Sequence, residues 1–283
     1  MPSETNLALS LPRVHWGDEN AAQHLLLVHG YLSCAATFVQ LGERLAGLGW
    51  FVTAVDLRGH GDAPRASSYL LEDYAADIMN IKPSDGRPWD LVLAHSMGAS
   101  FSVKAASKNP AWLLRLAMLD PYLIWAPADM ADVIPVLEAC QSETVEDVLE
   151  KNPHWDMAVV KAKVAGQSHA DPLAIEQTVM KNGSRDLRSE AANLGVPLLI
   201  IGGDPQKGGI SWGRSFSDAS GADYVCLEGA GHNPHRDKPD AVLEALDCWA
   251  NHQARVDYHR QTGGLSIKHE SSLLNAELSN YGS

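Results

Sequence analysis

Six short apolar runs, spaced along most of the 283-residue chain, constrain its fold more than any other feature. Segments of helical periodicity stand between them, such as the one in which Leu70, Tyr74 and Ile78 share a face. Strands that are covered by helices on both faces have this nearly unbroken apolar character. The sequence therefore predicts an α/β protein with a mostly parallel central sheet flanked by helices. The predicted strands lie in residues 24–30, 50–56, 90–96, 114–120, 196–204 and 222–230.

Residues 121–190 interrupt this alternation with helical fragments and no convincing strand. The segment follows the fourth run, so it lies beyond the carboxyl ends of parallel strands, where open α/β sheets bind ligands. We expect a helical cap over a core formed by residues 1–120 and 191–257. Residues 258–283 have weak periodicity and many small polar side chains, which predicts a flexible tail.

Composition and charge exclude several classes of function. The net charge of −13 repels phosphate backbones and anionic lipids, so neither nucleic acid nor a membrane is an expected partner. The N-terminus lacks the features of a secretory signal, and no apolar run approaches the roughly 20 residues of a membrane span. The four cysteines show no CxxC spacing. We expect a cytoplasmic protein with reduced cysteines, and the sequence carries no signal for an oligomeric state.

The stretch LVLAHSMGAS, residues 91–100, places a serine where an apolar strand passes directly into a helix. Ala94 and Gly98 are small, as a sharp strand-to-helix turn requires, and such a turn exposes the hydroxyl of Ser96. The amide of Met97, at the start of the helix, would face an oxyanion that forms there. Serine is also a common helix N-cap, so this motif alone leaves a purely structural role open.

Several motifs together resemble the α/β-hydrolase superfamily from about residue 22 to residue 250. They are AHSMG around Ser96, the HG turn in LLLVHGYLS, the strand and turn VDLRGHGDAP, and the histidine loop LEGAGHNPH. The resemblance implies a Ser-His-acid triad with Ser96 as the nucleophile and His232 as the base. It also implies that the amide of Tyr31 is the second oxyanion donor, beside that of Met97.

Two aspartates compete for the place of the triad acid. Asp204 leaves the strand in LLIIGGD and stands in the part of the chain that is similar to the family's acid loop. Asp120, at the end of LRLAMLD, is the alternative, because some members of the family take their acid from that earlier strand. We predict that Asp204 is the acid.

The substrate is less well defined by the sequence. The cap segment has twelve acidic and six basic residues, which disfavours an anionic substrate. Trp125, Trp155, Met157 and Cys34 are predicted to line an apolar pocket. We therefore expect a carboxylesterase or lactonase that cleaves a neutral, largely apolar ester or lactone through an acyl-enzyme.

Alternatives remain open at this stage. The same triad can act on a C–C bond of a diketone, a thioester or an amide, because all these reactions pass through an oxyanion. A small-molecule-binding protein without turnover is a further alternative. No cofactor or metal is expected, because the chain has no phosphate-binding glycine motif and His232 and His235 lack further ligands at zinc-like spacing.

Overall fold

The computed structural model of the protein describes residues 8–125 and 134–262, which are built around a central β-sheet. All six predicted apolar runs contain a strand. The strands of the described residues are β1 (Arg13–Trp16), β2 (Gln23–Val28), β3 (Trp50–Val55), β4 (Leu91–His95), β5 (Leu116–Leu119), β6 (Ile124–Trp125), β7 (Arg185–Asp186), β8 (Leu198–Gly203) and β9 (Asp223–Leu227).

Seven of these strands form the central sheet in the order β1-β3-β2-β4-β5-β8-β9. Strand β1 runs antiparallel to β3, whereas every other pairing in this sheet is parallel. The carboxyl ends of β4, β5 and β8 therefore lie at the same edge, with β5 between the other two. The strand order β4-β5-β8 determines which acidic side chain at this edge lies nearer to Ser96.

Helices cover both faces of the sheet, as the sequence predicts. Their bounds in the described residues are α1 (Val39–Gly47), α2 (Leu71–Met79), α3 (Met97–Lys108), α4 (Ile134–Cys140), α5 (Val145–Lys151), α6 (Met157–His169), α7 (Pro172–Met180), α8 (Arg188–Ala192), α9 (Gly213–Ser220), α10 (Pro234–Asp237) and α11 (Pro239–Thr262).

The core has two halves because successive strand residues point to opposite faces. Leu25 packs in one apolar cluster with Val242 of α11. Leu26, the next residue of β2, packs in the other cluster with Tyr74 of α2 and Phe101 of α3. The predicted fold class, a mostly parallel sheet between helical layers, is confirmed.

The structure departs from the predicted elements in three places. Strand β1 was missed because its residues are mostly exposed and form no apolar run. Strands β6 and β7 pair within the segment 121–190, where no strand was expected. Helix α11 continues to Thr262, past the start of the predicted tail, and residues 263–283 lie outside the described residues.

Helices α4 to α7 occupy the described part of the predicted cap, whose residues 126–133 lie outside the described ranges. The role of this segment as a cap stays a prediction. No helix in residues 8–125 and 134–262 combines the length and apolarity that a bilayer span requires. The cytoplasmic location also stays a prediction.

Candidate active site

Ser96 stands at a strained turn between β4 and α3. Its backbone has φ 52° and ψ −121°, a conformation that few residues other than glycine adopt. The turn is tight because α3 starts against β2: a Cβ atom on Gly98 would lie 2.5 Å from the carbonyl oxygen of His29. The small residue predicted at this position is therefore required by close backbone approach.

The imidazole of His232 connects two side chains from the edge of the sheet. Its Nε2 lies 2.9 Å from Ser96 Oγ, and its Nδ1 lies 2.5 Å from Asp120 Oδ2. A carboxylate accepts and does not donate, so Nδ1 carries the proton and the Nε2 lone pair faces the serine hydroxyl. This is the tautomer that a general base requires.

Asp120 is held rigidly beneath this histidine. The side chain is 1% exposed, and its Oδ1 accepts hydrogen bonds from the amides of Gly203 and Ile210, each 2.9 Å long. Its own backbone has φ 40°, a second strained residue at this edge of the sheet. These bonds hold the side chain so that Oδ2 faces Nδ1 of His232.

The structure does not bring Asp204, the predicted triad acid, to His232, whose Nδ1 contacts Asp120 instead. Oδ1 of Asp204 accepts from the amide of Gln206 at 2.8 Å and its Oδ2 from the amide of Gly229 at 3.1 Å, so the side chain caps a turn. These hydrogen bonds lower the pKa of Asp204, the one from Gln206 most. The sheet order explains this difference: β5, which Asp120 follows directly, lies beside β4, whereas β8 lies one strand further from Ser96.

The two predicted oxyanion donors belong to residues that line the same cavity as Ser96. Met97 is the first residue of α3, so its amide has no acceptor within the helix. Tyr31 follows the turn at Gly30, whose carbonyl accepts from His29 Nδ1 at 2.6 Å. The amide of Leu57 donates to Nε2 of the same imidazole at 3.1 Å. His29 therefore supports the loop from within, and its burial lowers its pKa to about 4.

A second histidine fixes the loop that carries the base, and sequence reasoning missed it. Nε2 of His95 donates to the carbonyl oxygen of His232 at 2.9 Å. Burial lowers the pKa of His95 well below its usual value, and the charges of His232 and Arg236 add to this effect. His95 stands immediately before Ser96 in the chain, and the motif alone did not indicate a role for it.

The cavity next to Ser96 has a volume of about 360 Å³. This lies near the lower end of the roughly 300–1,000 Å³ of small-molecule sites. Part of its wall comes from the core and part from α4 and α6 of the inserted segment. The residues that line it include Tyr31, Met97, Leu137, Lys163, Gln167 and Arg236.

The four residues predicted to bind substrate do not line this cavity. Trp125 is buried in the core, where its Nε1 donates to Ser100 Oγ, and Met157 is 44% exposed. Trp155 packs on α5 and α6 and donates to Asp237. Cys34 packs against Gly166, and its buried thiol has a pKa raised to about 11. The two tryptophans are buried in the interior and not at the cavity. The periodicity of the sequence does not distinguish these two locations.

Three polar residues of the cavity had no signal in the sequence. Lys163 and Gln167 stand on the inner side of α6, and Arg236 stands on α10, directly after the histidine loop. None belongs to a motif with a recognisable spacing. Only the folded arrangement of the chain brings them to one cavity.

The described residues contain no cluster of three or more His, Cys, Asp or Glu side chains that could hold a metal ion. The arrangement can instead activate a hydroxyl directly. A base contacts the serine, a buried carboxylate orients the base, and a cavity lies alongside. This combination can support nucleophilic attack on a carbonyl group.

Comparison with known proteins finds hydrolases among the relatives of this chain. The chain is 27% identical over 245 residues to 2-(acetamidomethylene)succinate hydrolase of Mesorhizobium japonicum, covering 78% of this chain and 86% of that protein. It is 22% identical over 268 residues to monoglyceride lipase of Mus musculus, covering 84% and 86%.

The solved structure of an N-formylmaleamic acid deformylase from Pseudomonas putida has the same fold. It superimposes with a TM-score of 0.66 at 21% identity, covering 83% of this chain and 94% of that chain. The sequence model of the alpha/beta hydrolase family matches residues 25–245. The chain is a member of the alpha/beta hydrolase family, and it is a hydrolase.

Proposed function

We propose that the protein hydrolyses a small carboxylic ester through a Ser96-His232-Asp120 triad and an acyl-enzyme. The observation that carries this proposal is the imidazole of His232, which bonds Ser96 on one side and Asp120 on the other. In this mechanism His232 takes the proton of Ser96 Oγ as that oxygen attacks the ester carbonyl. The proton then passes to the leaving alcohol, and the acyl group stays on Ser96.

The remaining steps use the same residues. The amides of Tyr31 and Met97 stabilise the negative oxygen of each tetrahedral intermediate. Asp120 stabilises the imidazolium that forms at His232. Water then attacks the acyl-enzyme with His232 again as the base, which releases the acid and restores Ser96. The inserted helices act as a cap in this mechanism, because their residues Leu137 and Gln167 line the cavity that contains Ser96.

The size and lining of the cavity favour a compact substrate. Leu32, Met97 and Leu137 give the cavity an apolar surface, in support of the ester or lactone class expected from sequence. The expectation of a neutral substrate rested on the acidic composition of the whole segment 121–190. The cavity itself has the opposite character, since Lys163 and Arg236 line it.

Amide hydrolysis is the second candidate function. The relative from Mesorhizobium japonicum is named for an acetamido-substituted succinate, which brings a C–N bond into consideration here. The same oxyanion donors serve an ester and an amide, but an amide needs a stronger proton donor for its leaving group. His232 faces Ser96 in a position suited to that transfer.

A fluorophosphonate probe tests the nucleophile directly. We expect one covalent adduct, found on Ser96 by peptide mass spectrometry, and turnover of 4-nitrophenyl acetate. Ser96→Ala should abolish the adduct and lower kcat by up to about 10⁶-fold, the loss typical of a serine nucleophile. Ser168→Ala, on the exposed side of α6, is the matched control and should label normally. An unlabelled Ser96 in folded protein would refute the proposal.

The ratio of kcat/KM for 4-nitrophenyl acetate and 4-nitroacetanilide separates the two candidate functions. Both substrates carry the same acetyl group, so the comparison isolates the ester and amide bonds. Efficient cleavage of the anilide would favour the amide. Stoichiometric binding without product, unchanged in Ser96→Ala, would instead indicate a binding protein.

A further inference from the structure

Arg236 is a buried cation that borders the candidate active site. The whole residue is only 6% exposed. Its Nη2 donates a hydrogen bond to Ser33 Oγ at 3.0 Å. The guanidinium carbon lies 5.3 Å from the ring centre of Trp155. Nε is buried and has no hydrogen-bond acceptor within the part of the chain that the structure describes. One guanidinium N–H is therefore unsatisfied next to a cavity that contains Ser96.

No carboxylate among residues 8–125 and 134–262 forms an ion pair with Arg236. Asp237, its neighbour in the chain, accepts from Trp155 Nε1 through one oxygen and from the amide of Gly231 through the other. Burial lowers the pKa of Arg236 to about 10, although Cys34 and Asp237 act in the opposite direction. A buried charge without a counterion is costly, so a bound anion would stabilise this arrangement.

Helix α6 brings a second cation to the same cavity. Lys163 has a side chain that is 16% exposed, and burial together with the charge of Arg236 lowers its pKa. Its partner Glu143 is shared, since it binds Lys151 at 2.5 Å, Lys163 at 3.4 Å and Gln167 at 3.0 Å. Glu143 therefore compensates two lysines and leaves the charge of Arg236 unbalanced.

We propose that Arg236 and Lys163 form a carboxylate-binding subsite of this cavity, so that the natural substrate is a small ester or amide that carries a carboxylate. The subsite rests on the proposed function, since it positions a substrate for Ser96. A guanidinium presents paired N–H donors that suit the two oxygens of a carboxylate. The overall charge of −13 does not oppose this, because the field inside a cavity is set by the charges that line it.

Two substrate pairs that differ by one charge test the subsite. The first pair is 4-acetoxybenzoate and methyl 4-acetoxybenzoate, with the carboxylate on the leaving group. The second is mono-4-nitrophenyl adipate and its methyl ester, with the carboxylate on the acyl group. We expect kcat/KM for the anion to exceed that for the neutral partner by about ten-fold or more in one pair, as a charged hydrogen bond provides.

The variants connect that preference to the two cations. Arg236→Met should lower the anion-to-neutral ratio roughly 10- to 100-fold, and Arg236→Lys should lower it less because the charge remains. Lys163→Gln should lower the ratio from the other wall of the cavity, which keeps the test valid if Arg236 variants do not fold. Lys161→Gln, exposed on α6, is the matched control and should keep the wild-type ratio.

Binding without catalysis separates this proposal from the proposed function. Terephthalate should bind the Ser96→Ala protein in calorimetry, and more weakly when Arg236→Met is added. A wild type that cleaves both neutral esters but prefers neither anion would overturn the subsite and leave the hydrolase intact. An absence of turnover and of a Ser96 adduct, with terephthalate still bound, would refute the proposed function alone.

Discussion

The two walls of the cavity differ in how their side chains are held. The core wall carries Ser96, His232 and Asp120, whose hydrogen bonds form one connected chain. The helical wall, from α4 and α6, carries Lys163 and Gln167, which share Glu143. Gln167 Oε1 and Arg236 Nε are both buried, and neither has a hydrogen-bond partner among the described residues.

This difference indicates a division of tasks. Reacting groups need a fixed geometry, and the ends of parallel strands provide it at the cost of two strained residues, Ser96 and Asp120. The helical wall carries no reacting group, so its side chains do not need this fixed geometry and their charge can vary. We infer that the strand ends of the core wall determine the reaction and that the helical wall, together with Arg236, contributes to substrate choice. Four predictions test this division, and we give them in order of decreasing effect.

The largest effect is expected from the buried acid of the core wall. Asp120→Asn should lower kcat for 4-nitrophenyl acetate by about 10⁴-fold, because an amide in this place favours the wrong tautomer of His232. Asp204→Asn, the matched variant at the end of β8, should change kcat by less than about three-fold. Steady-state kinetics on both proteins decide the matter. A larger loss for Asp204→Asn would restore the aspartate that the sequence favoured.

The sequence predicted the elements that depend on local pattern. Ser96 was found because small residues surround it in a strand-to-helix turn, and Gly98 indeed packs against the backbone of β2. The six parallel strands were found because both their faces are apolar. The choice between Asp120 and Asp204 needed the order of strands in the sheet, which no local pattern encodes.

The walls of the cavity were beyond sequence reasoning for a different reason. Trp125 and Trp155 were expected there because large apolar side chains are typical of pockets, but such side chains more often fill the interior. Arg236 and Lys163 lie 73 positions apart in the chain, and only the fold brings them to one cavity. A count of charges over the whole segment 121–190 does not show that the charged side chains at the cavity are basic.

The second prediction concerns acid, which should destabilise the core wall through its buried histidines. The pKa of His29 is lowered from 6.5 to about 4, first by burial and further by the charge of Arg236, whereas the hydrogen bond to Gly30 acts in the opposite direction. Between those pH values the unfolded chain binds a proton that the folded chain does not. Stability therefore falls as the pH drops from about 6.5 to 4, by roughly 3 kcal/mol from this residue alone.

Urea unfolding at pH 7, 5.5 and 4.5 measures this dependence. His29→Gln should be less stable than wild type at pH 7 and should lose less stability on acidification. His169→Gln, exposed at the end of α6, should keep the full wild-type dependence. An unchanged dependence in His29→Gln would place the acid sensitivity elsewhere, and the contrast between the walls would weaken.

The third prediction concerns glycine substitutions, which should change the free energy of unfolding in opposite directions in the two walls. Ser96→Gly should unfold with a free energy about 1 kcal/mol higher than Ser96→Ala, because glycine adopts φ 52° without penalty. In α6 the same side-chain loss should be unfavourable, and Ala165→Gly should lower stability by about 1 kcal/mol. Thermal unfolding of the three variants gives both signs. Equal effects at the two positions would contradict a strained core wall.

The smallest effect should come from Glu143, behind the helical wall. Glu143→Gln removes the negative charge next to Lys163 and so strengthens the positive field in the cavity. We expect KM for 4-acetoxybenzoate to fall by about two- to five-fold, the range of a partly exposed ion pair, with the change in KM rather than in kcat. Glu150→Gln, exposed on α5, is the control. A loss of kcat in Glu143→Gln with KM unchanged would show that the helical wall takes part in the reaction itself, because stabilisation of the bound substrate alone lowers KM together with kcat.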